Sequence, residues 1–389
     1  MAPPAPHPRV RRAVELLVAG AGLGLLLCAW RADRHWFELH LTAWHCAQEP
    51  SQLADATRLR VLLAVAGVVV LLLARPAGRK AGTRPARELL GWVARIGLAV
   101  VLALAVSECA LRRVTPKKDE PLHFEADPEP DPRYGWRPIP SHVSEVVVGS
   151  RTVRFAIDAA GDRVRSLDEP VDPARPTILL GGESVAAGFG LPYEETAAAS
   201  VAERLGVQVA DVAVSAVADD MATLRLVDNL PRFEHLLAAV TVVVPVTYDR
   251  NVWTDRPHVQ PNDDGTFTLL PRGRPPLRLV TLFENITGYR TDEGLRRARA
   301  MLVASARASR ARGVFPLFVL VSWPACLPDE TGAPSIDRTT FEGLDLAHVR
   351  VDLETARFDA LTYHPDALGQ RRIADAIVAG LAAHGIPAH

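Results

Sequence analysis

Apolar and polar positions divide the chain into two regimes. In the first, three unbroken apolar runs, Leu16–Trp30, Val61–Ala74 and Ile96–Ser107, are bracketed by Glu15, Arg60, Arg95 and Glu108. A span needs about 20 apolar residues. Each uncharged run is shorter than that, but extending it to its flanking charged residues gives an adequate span, because such side chains snorkel to the interface. The second regime starts near Pro176, where short apolar stretches alternate with amphipathic ones. Strands are expected at Thr177–Leu180, Val207–Val214, Ala239–Val246, Val314–Ser322 and Val349–Leu353, and helices at Glu195–Leu205, Met221–Leu230, Asp292–Arg312 and Ala367–His384. Strands apolar along their whole length, alternating with helices, imply a parallel sheet covered on both faces. Val146–Val148 and Val153–Ile157 flank Gly149-Ser150 and read as a hairpin.

This pattern predicts three parts: a membrane region of three helical spans over 1–111, a proline-rich tether over 112–144, and an α/β domain over 145–389. A soluble bundle of buried helices competes for the first part. Valine- and leucine-rich runs bracketed by arginine favour the membrane. Leu25-Leu26-Leu27-Cys28-Ala29-Trp30 offers no small-residue cleavage site, so the first span is expected to stay. Gly20, Gly22 and Gly24 include a G-x-x-x-G spacing suited to close helix packing. Arg9, Arg11 and Arg12 before the first span, and Arg75, Arg79, Lys80, Arg84 and Arg87 between the second and third, put the C-terminal domain outside. Arg112, Arg113, Lys117 and Lys118 oppose that orientation.

Of 389 residues, 48% are apolar and the net charge is −1, which argues against a nucleic-acid partner. Cys28, Cys46, Cys109 and Cys326 are scattered, implying neither a disulfide framework nor a metal motif. No cofactor or metal is expected.

Candidate chemistry sits at two places. Ser184 follows the strand Ile178-Leu179-Leu180 in Gly181-Gly182-Glu183-Ser184 and precedes Val-Ala-Ala-Gly188. Sheets of this kind bind ligands outside the carboxyl ends of their strands. The same turn also serves as an anion-binding helix start or an ordinary loop. His364 lies in Tyr363-His364-Pro365-Asp366, at the mouth of the last helix, where a histidine can equally be a cap. Together they supply a hydroxyl and the base that would activate it. Tyr248 to Pro275 forms a long polar insertion with a turn at Asn262-Asp263-Asp264-Gly265, either a recognition loop or a surface excursion. Asp249 reads as a structural acid, paired with a neighbour such as Arg250. Asn285-Ile-Thr matches a glycosylation acceptor without other support.

Over about residues 145–385 the sequence resembles the SGNH/GDSL hydrolases. Gly182-Glu183-Ser184-x-x-x-Gly188 is similar to their first block, with glutamate where aspartate is usual, and Tyr363-His364-Pro365-Asp366-x-x-Gly369 to their last. The stretch Arg154 to Arg163 resembles a segment that often precedes the first block in membrane-anchored members. Asp211-Val-Ala-Val-Ser-Ala216 and Tyr248-Asp249-Arg250-Asn251 stand where the second and third blocks would fall, without the usual glycines and Asn-Asp. The resemblance implies a flavodoxin-like α/β sheet with helices on both faces, preceded here by three transmembrane helices. It implies Ser184 as nucleophile, His364 as base, and oxyanion donors at the Ser184 and Ala216 N–H groups, with Tyr248 or Asn251 in place of the asparagine amide. Asp359, five residues before the histidine, is the nearest candidate third acid, with Asp366 a weaker one. A Ser–His dyad, a triad completed by Asp359 and a decayed site all remain open.

The resulting expectation is a serine esterase in a bacterial inner membrane, its C-terminal domain facing the periplasm or exterior. Its partners would be the membrane and acylated envelope glycans or lipids. An inactive binding or accessory protein and an envelope-polysaccharide O-acyltransferase are the alternatives.

Overall fold

The three apolar runs each lie within a helix. In the computed structural model, which describes residues 8–33, 36, 50–114, 127–148, 151–252, 257–262, 266–271, 273, 277–287, 289–322, 336–353 and 364–386, these are α1 (Pro8–Arg31), α2 (Pro50–Gly82) and α3 (Ala86–Val114). Within them, Pro8–Arg31, Thr57–Gly82 and Gly91–Arg113 are long and apolar enough to cross a membrane. The helices outrun the apolar stretches because the flanking alanine, arginine and glutamate are good helix formers. Helices α1 and α2 meet through Gly22 and Gly67: a Cβ on Gly22 would stand 2.9 Å from the Gly67 carbonyl oxygen. Gly20 and Gly24 have nothing within 4 Å of that position, so the close approach uses a glycine on each helix and not the G-x-x-x-G row of α1.

The chain divides into two compact units, residues 1–117 with 277–288, and 118–276 with 289–389. A short segment from the middle of the α/β region thus returns to the helical unit. The proline-rich stretch also departs from a simple tether. Pro128–Asp131 (β1) pairs antiparallel with Gly135–Pro138 (β2). Asp131 Oδ1 accepts the Arg133 and Tyr134 N–H groups, both at 2.8 Å, and closes the turn between them. Alternating prolines lack N–H groups, which restricts them to a narrow ribbon of this kind. Tyr134 and Trp136 pack against Val214, Val217 and Met221.

In the second unit one eight-stranded sheet has the order β12-β11-β8-β6-β7-β5-β4-β3. The strands are β3 (His142–Val148), β4 (Arg151–Ile157), β5 (Arg163–Val164), β6 (Thr177–Gly181), β7 (Gln208–Asp211), β8 (Leu236–Val243), β11 (Phe315–Ser322) and β12 (His348–Asp352); β9 (His258–Pro261) and β10 (Phe267–Leu270) pair separately. Five neighbours, β7-β6-β8-β11-β12, are parallel, while β5, β4 and β3 add an antiparallel wing. The expected parallel sheet is present, and the expected hairpin, β3–β4, joins its edge through β5. Taken in chain order, the parallel strands run 2-1-3-4-5, the flavodoxin-like order, whose switch point falls between β6 and β8.

The helices of this unit are α4 (Ser184–Ala187), α5 (Ala197–Leu205), α6 (Asp219–Asn229), α8 (Tyr289–Ala311), α9 (Ile336–Phe341) and α10 (Ala367–Ala383); α7 (Arg278–Ile286) belongs to the helical unit. Thr196 caps α5, its side chain accepting the Ala199 N–H, and Gly206 ends the helix in a left-handed conformation. Leu179, Val240 and Val319, on the three central strands, are fully buried. The polar insertion folds as the β9–β10 hairpin, closed by the Asn262 N–H donating to the Thr266 carbonyl at 2.9 Å; residues 263–265 of its turn lie outside the described residues.

Candidate active site

Ser184 is the first residue of α4, immediately beyond β6 and at the switch point of the sheet. Two glycines make that turn. Gly182 has φ +148°, and a Cβ there would meet the Val242 carbonyl oxygen at 2.9 Å. Gly188 ends α4 at φ +67°, where a Cβ would lie 2.6 Å from Thr196 Cγ2. Glycine is the residue that fits both.

His364 precedes α10, whose N-cap is Asp366: its carboxylate accepts the Gly369 N–H at 2.7 Å. That engagement makes Asp366 the cap of this helix through one of its two carboxylate oxygens. The turn brings His364 Nε2 to 2.8 Å from Ser184 Oγ, with both side chains buried. A hydroxyl that donates to Nε2 requires the proton of a neutral ring on Nδ1. Phe189 stacks on the imidazole, centroids 4.4 Å apart at 27°.

Residues to which the sequence assigns no role at the site hold this pair. Gln370, fully buried one turn into α10, donates its amide to the Val185 carbonyl at 2.8 Å and accepts the Ala197 N–H at 3.0 Å. Histidine helix, nucleophile turn and α5 are thereby tied through one side chain. Arg163, 3% exposed, donates to the carbonyls of Ala187, Gly188 and Leu191 and lies over Phe155. Its position after Gly161-Asp162 was the available signal, and only the fold reveals which carbonyls it reaches. Asp211 faces Arg163 across the β5–β7 pair. Burial, opposed by the Arg163 charge, pushes the Asp211 carboxyl up to about 7.

The other sequence-predicted positions fare differently. Ala216 has φ +61°, so the backbone takes at an alanine the left-handed conformation that glycine adopts freely. Tyr248 is buried in the core with Phe318, Phe341 and Leu346, its hydroxyl 3.4 Å from Thr340 Oγ1. Asn251 donates its amide to the Gly294 carbonyl at 3.4 Å and accepts the Asp220 N–H at 3.3 Å. Each of the two thus has a polar partner within the α/β unit. Asp359 lies outside the described residues, as do the side chains of Asp249 and Arg250. Glu183, in the aspartate position of the first block, is buried and accepts the Thr247 hydroxyl at 2.7 Å. A separate buried pair, His258 Nδ1 to Asp220 Oδ2 at 3.0 Å, anchors the β9 strand to α6. Among the described residues no cluster of three metal-ligating side chains occurs.

No protein-family model matches the chain, and no curated protein matches it in sequence. Similar solved structures include a lipolytic protein of the G-D-S-L family from Veillonella parvula, 12% identical, with 52% of this chain and 96% of that one covered and a TM-score of 0.32. They also include a carbohydrate esterase, 10% identical, covering 63% and 84%, TM-score 0.33. A third is a salicylyl-acyltransferase from a tetracycline biosynthetic pathway, 16% identical, covering 57% and 59%, TM-score 0.31. The α/β unit itself has the sheet order, the serine at a strand's carboxyl end and the histidine ahead of the last helix that a resemblance to SGNH/GDSL hydrolases implies.

Proposed function

We propose that this chain is a serine esterase of SGNH/GDSL type, held by α1–α3 in a bacterial inner membrane with its α/β unit outside, and acting on acyl esters of envelope glycans or lipids. The observation that carries the reading is the 2.8 Å contact between Ser184 Oγ and His364 Nε2 across 180 residues of chain. His364 takes the hydroxyl proton as Ser184 attacks the acyl carbonyl, then returns it to the departing alcohol. Water, deprotonated by the same ring, releases the acid from the acyl-serine. The oxyanion is held by the Ser184 N–H, which starts a helix and has no partner within it, and by the Ala216 N–H on its left-handed turn.

One observation favours a second reading, a binding or accessory protein without turnover: Tyr248 and Asn251 have partners at Thr340 and Gly294. A lost oxyanion donor costs about 2.7–4 kcal/mol of transition-state stabilisation. A fluorophosphonate probe separates the two. The esterase labels at Ser184 and loses labelling in Ser184→Ala and His364→Ala. A folded native chain that takes no label overturns the enzymatic reading. Supplying a sugar acceptor then distinguishes hydrolysis from acyl transfer by the product formed.

A further inference from the structure

The nine-residue helix α7 carries a row of apolar side chains that face outward. Leu277, just before it, and Val280, Phe283 and Ile286 within it recur every third residue and are 53%, 43%, 66% and 39% exposed. Leu279 and Leu282 are half-buried, so the helix has little apolar surface left to spare for a core. A bare row of this size on a short helix is unfavourable in water.

The second observation fixes where the row lies. Glu108 of α3 accepts the N–H groups of both Arg278 and Leu279 at 3.0 Å, capping the first turn of α7, while Arg112 donates to the same carboxylate at 2.6 Å. Glu108 ends the uncharged run and stands five residues before Arg113, the last residue of the candidate span. At 1.5 Å per residue that is about 7.5 Å along the axis. A carboxylate with two backbone donors and an arginine is tolerated at such a depth, near the level of the headgroups. The outward apolar surface of α3, from Ile96 through Val106, leads up to this level.

We infer that α7 is an interfacial helix whose Leu277–Val280–Phe283–Ile286 row inserts into the acyl boundary of a phospholipid bilayer beside the end of α3. Apolar side chains enter the boundary, Arg278 and Thr281 take the polar side, and Glu284 lies at the edge of the row beside Leu277, the division that interfacial helices make. The inference rests on α1–α3 spanning a membrane and is independent of the chemistry at Ser184. It accounts for a segment of the α/β region grouping with the helical unit: the bilayer surface, not the sheet, is its solvent.

The test uses the full chain in phospholipid vesicles containing a lipid with a shallow photoactivatable diazirine. After irradiation, trypsin releases the peptide Leu279–Arg290, and mass spectrometry reads lipid adducts on it and on the α1–α3 peptides. Adducts on both are expected. Phe283→Asp should lower the yield on this peptide roughly tenfold, Phe283→Leu should preserve it, and neither should change the α1–α3 yield. Adducts on α1–α3 with none on Leu279–Arg290 overturn the interfacial helix while leaving the spans intact. Adducts on neither overturn both. An undiminished yield in Phe283→Asp overturns the apolar row as the inserting element.

Discussion

Gln370 donates its side-chain amide to the carbonyl of Val185, the residue after the candidate nucleophile, at 2.8 Å, and the same side chain receives the Ala197 N–H. The helix that positions His364 is thus registered against the turn that positions Ser184 without either reacting group taking part. Gln370→Leu would leave a buried carbonyl and a buried N–H without that partner, at about 1–3 kcal/mol for each. Denaturant unfolding of the detergent-solubilised chain should show a loss of this order, and the fully folded fraction should react more slowly with fluorophosphonate. A folded variant with the native labelling rate would reduce Gln370 to a structural residue.

Ala216 occupies a left-handed backbone conformation that costs a residue with a Cβ about 1–2 kcal/mol. Ala216→Gly relieves it but gives the unfolded chain more freedom, at about 0.4–1 kcal/mol. A net gain of roughly 0.5–1 kcal/mol in unfolding free energy is expected, with labelling at Ser184 retained. Ala216→Val, with a β-branched side chain in that region, should lose both stability and labelling.

Arg163 fastens the loop after α4 through three carbonyls. Arg163→Met preserves much of the contact with Phe155 but removes every donor. It should cost about 2–4 kcal/mol, the range for breaking a buried polar network. Since Gly188 and Leu191 flank Phe189, which stacks on His364, labelling should fall with stability. Arg163→Lys, offering one point of charge where a fork is used, should rescue only partly.

Asp211 gives the chain a pH signature. Burial raises its folded pKa to about 7, against about 3.9 for an unfolded aspartate. Between those values the folded chain holds a proton the unfolded chain has released. Its contribution is therefore present in acid and lost as pH rises toward 7. Asp211→Asn keeps an acceptor for the Ala213 N–H, now 3.1 Å from Oδ1, and should flatten the fall in stability from pH 4 to 7 by a few kcal/mol. Asp162, also raised by burial although bonded to Arg232, tilts the curve the same way and persists in the variant. An unchanged slope in Asp211→Asn would remove this carboxylate as its source.

The sequence made some of this architecture legible. Buried strands such as Ile178-Leu179-Leu180 and Val319-Leu320-Val321 are apolar throughout because both faces are covered, and the helices between them carry their own caps at Thr196, Gly206 and Asp366. Periodicity misplaced ends by a few residues: β8 runs Leu236–Val243 where Ala239–Val246 was expected, since the apolar run continues into the loop at Val244 and Pro245. Short elements were missed. Pro128–Pro138 lies within the stretch that reads by composition as a proline-rich tether, and β5, two residues long, has no pattern to detect. At the site, Ser184 and His364 were found by residue type and local motif. Gln370 and Arg163 were not, because a buried glutamine or arginine acts through carbonyls that only the fold brings near. Tyr248 and Asn251 rest on position along the chain alone, and the structure gives them partners at Thr340 and Gly294 that the sequence pattern does not reveal.

Because residues 277–288 cluster with the first 117, the polypeptide leaves and re-enters its apolar companion partway through the α/β region. A single proteolytic cut near residue 118 therefore would not liberate a water-soluble fragment. The C-terminal piece would carry Leu277, Val280, Phe283 and Ile286 away with it, a greasy ten-residue hook. Releasing a well-behaved soluble form calls for excising that hook and rejoining residues 276 and 289, besides trimming the N-terminus.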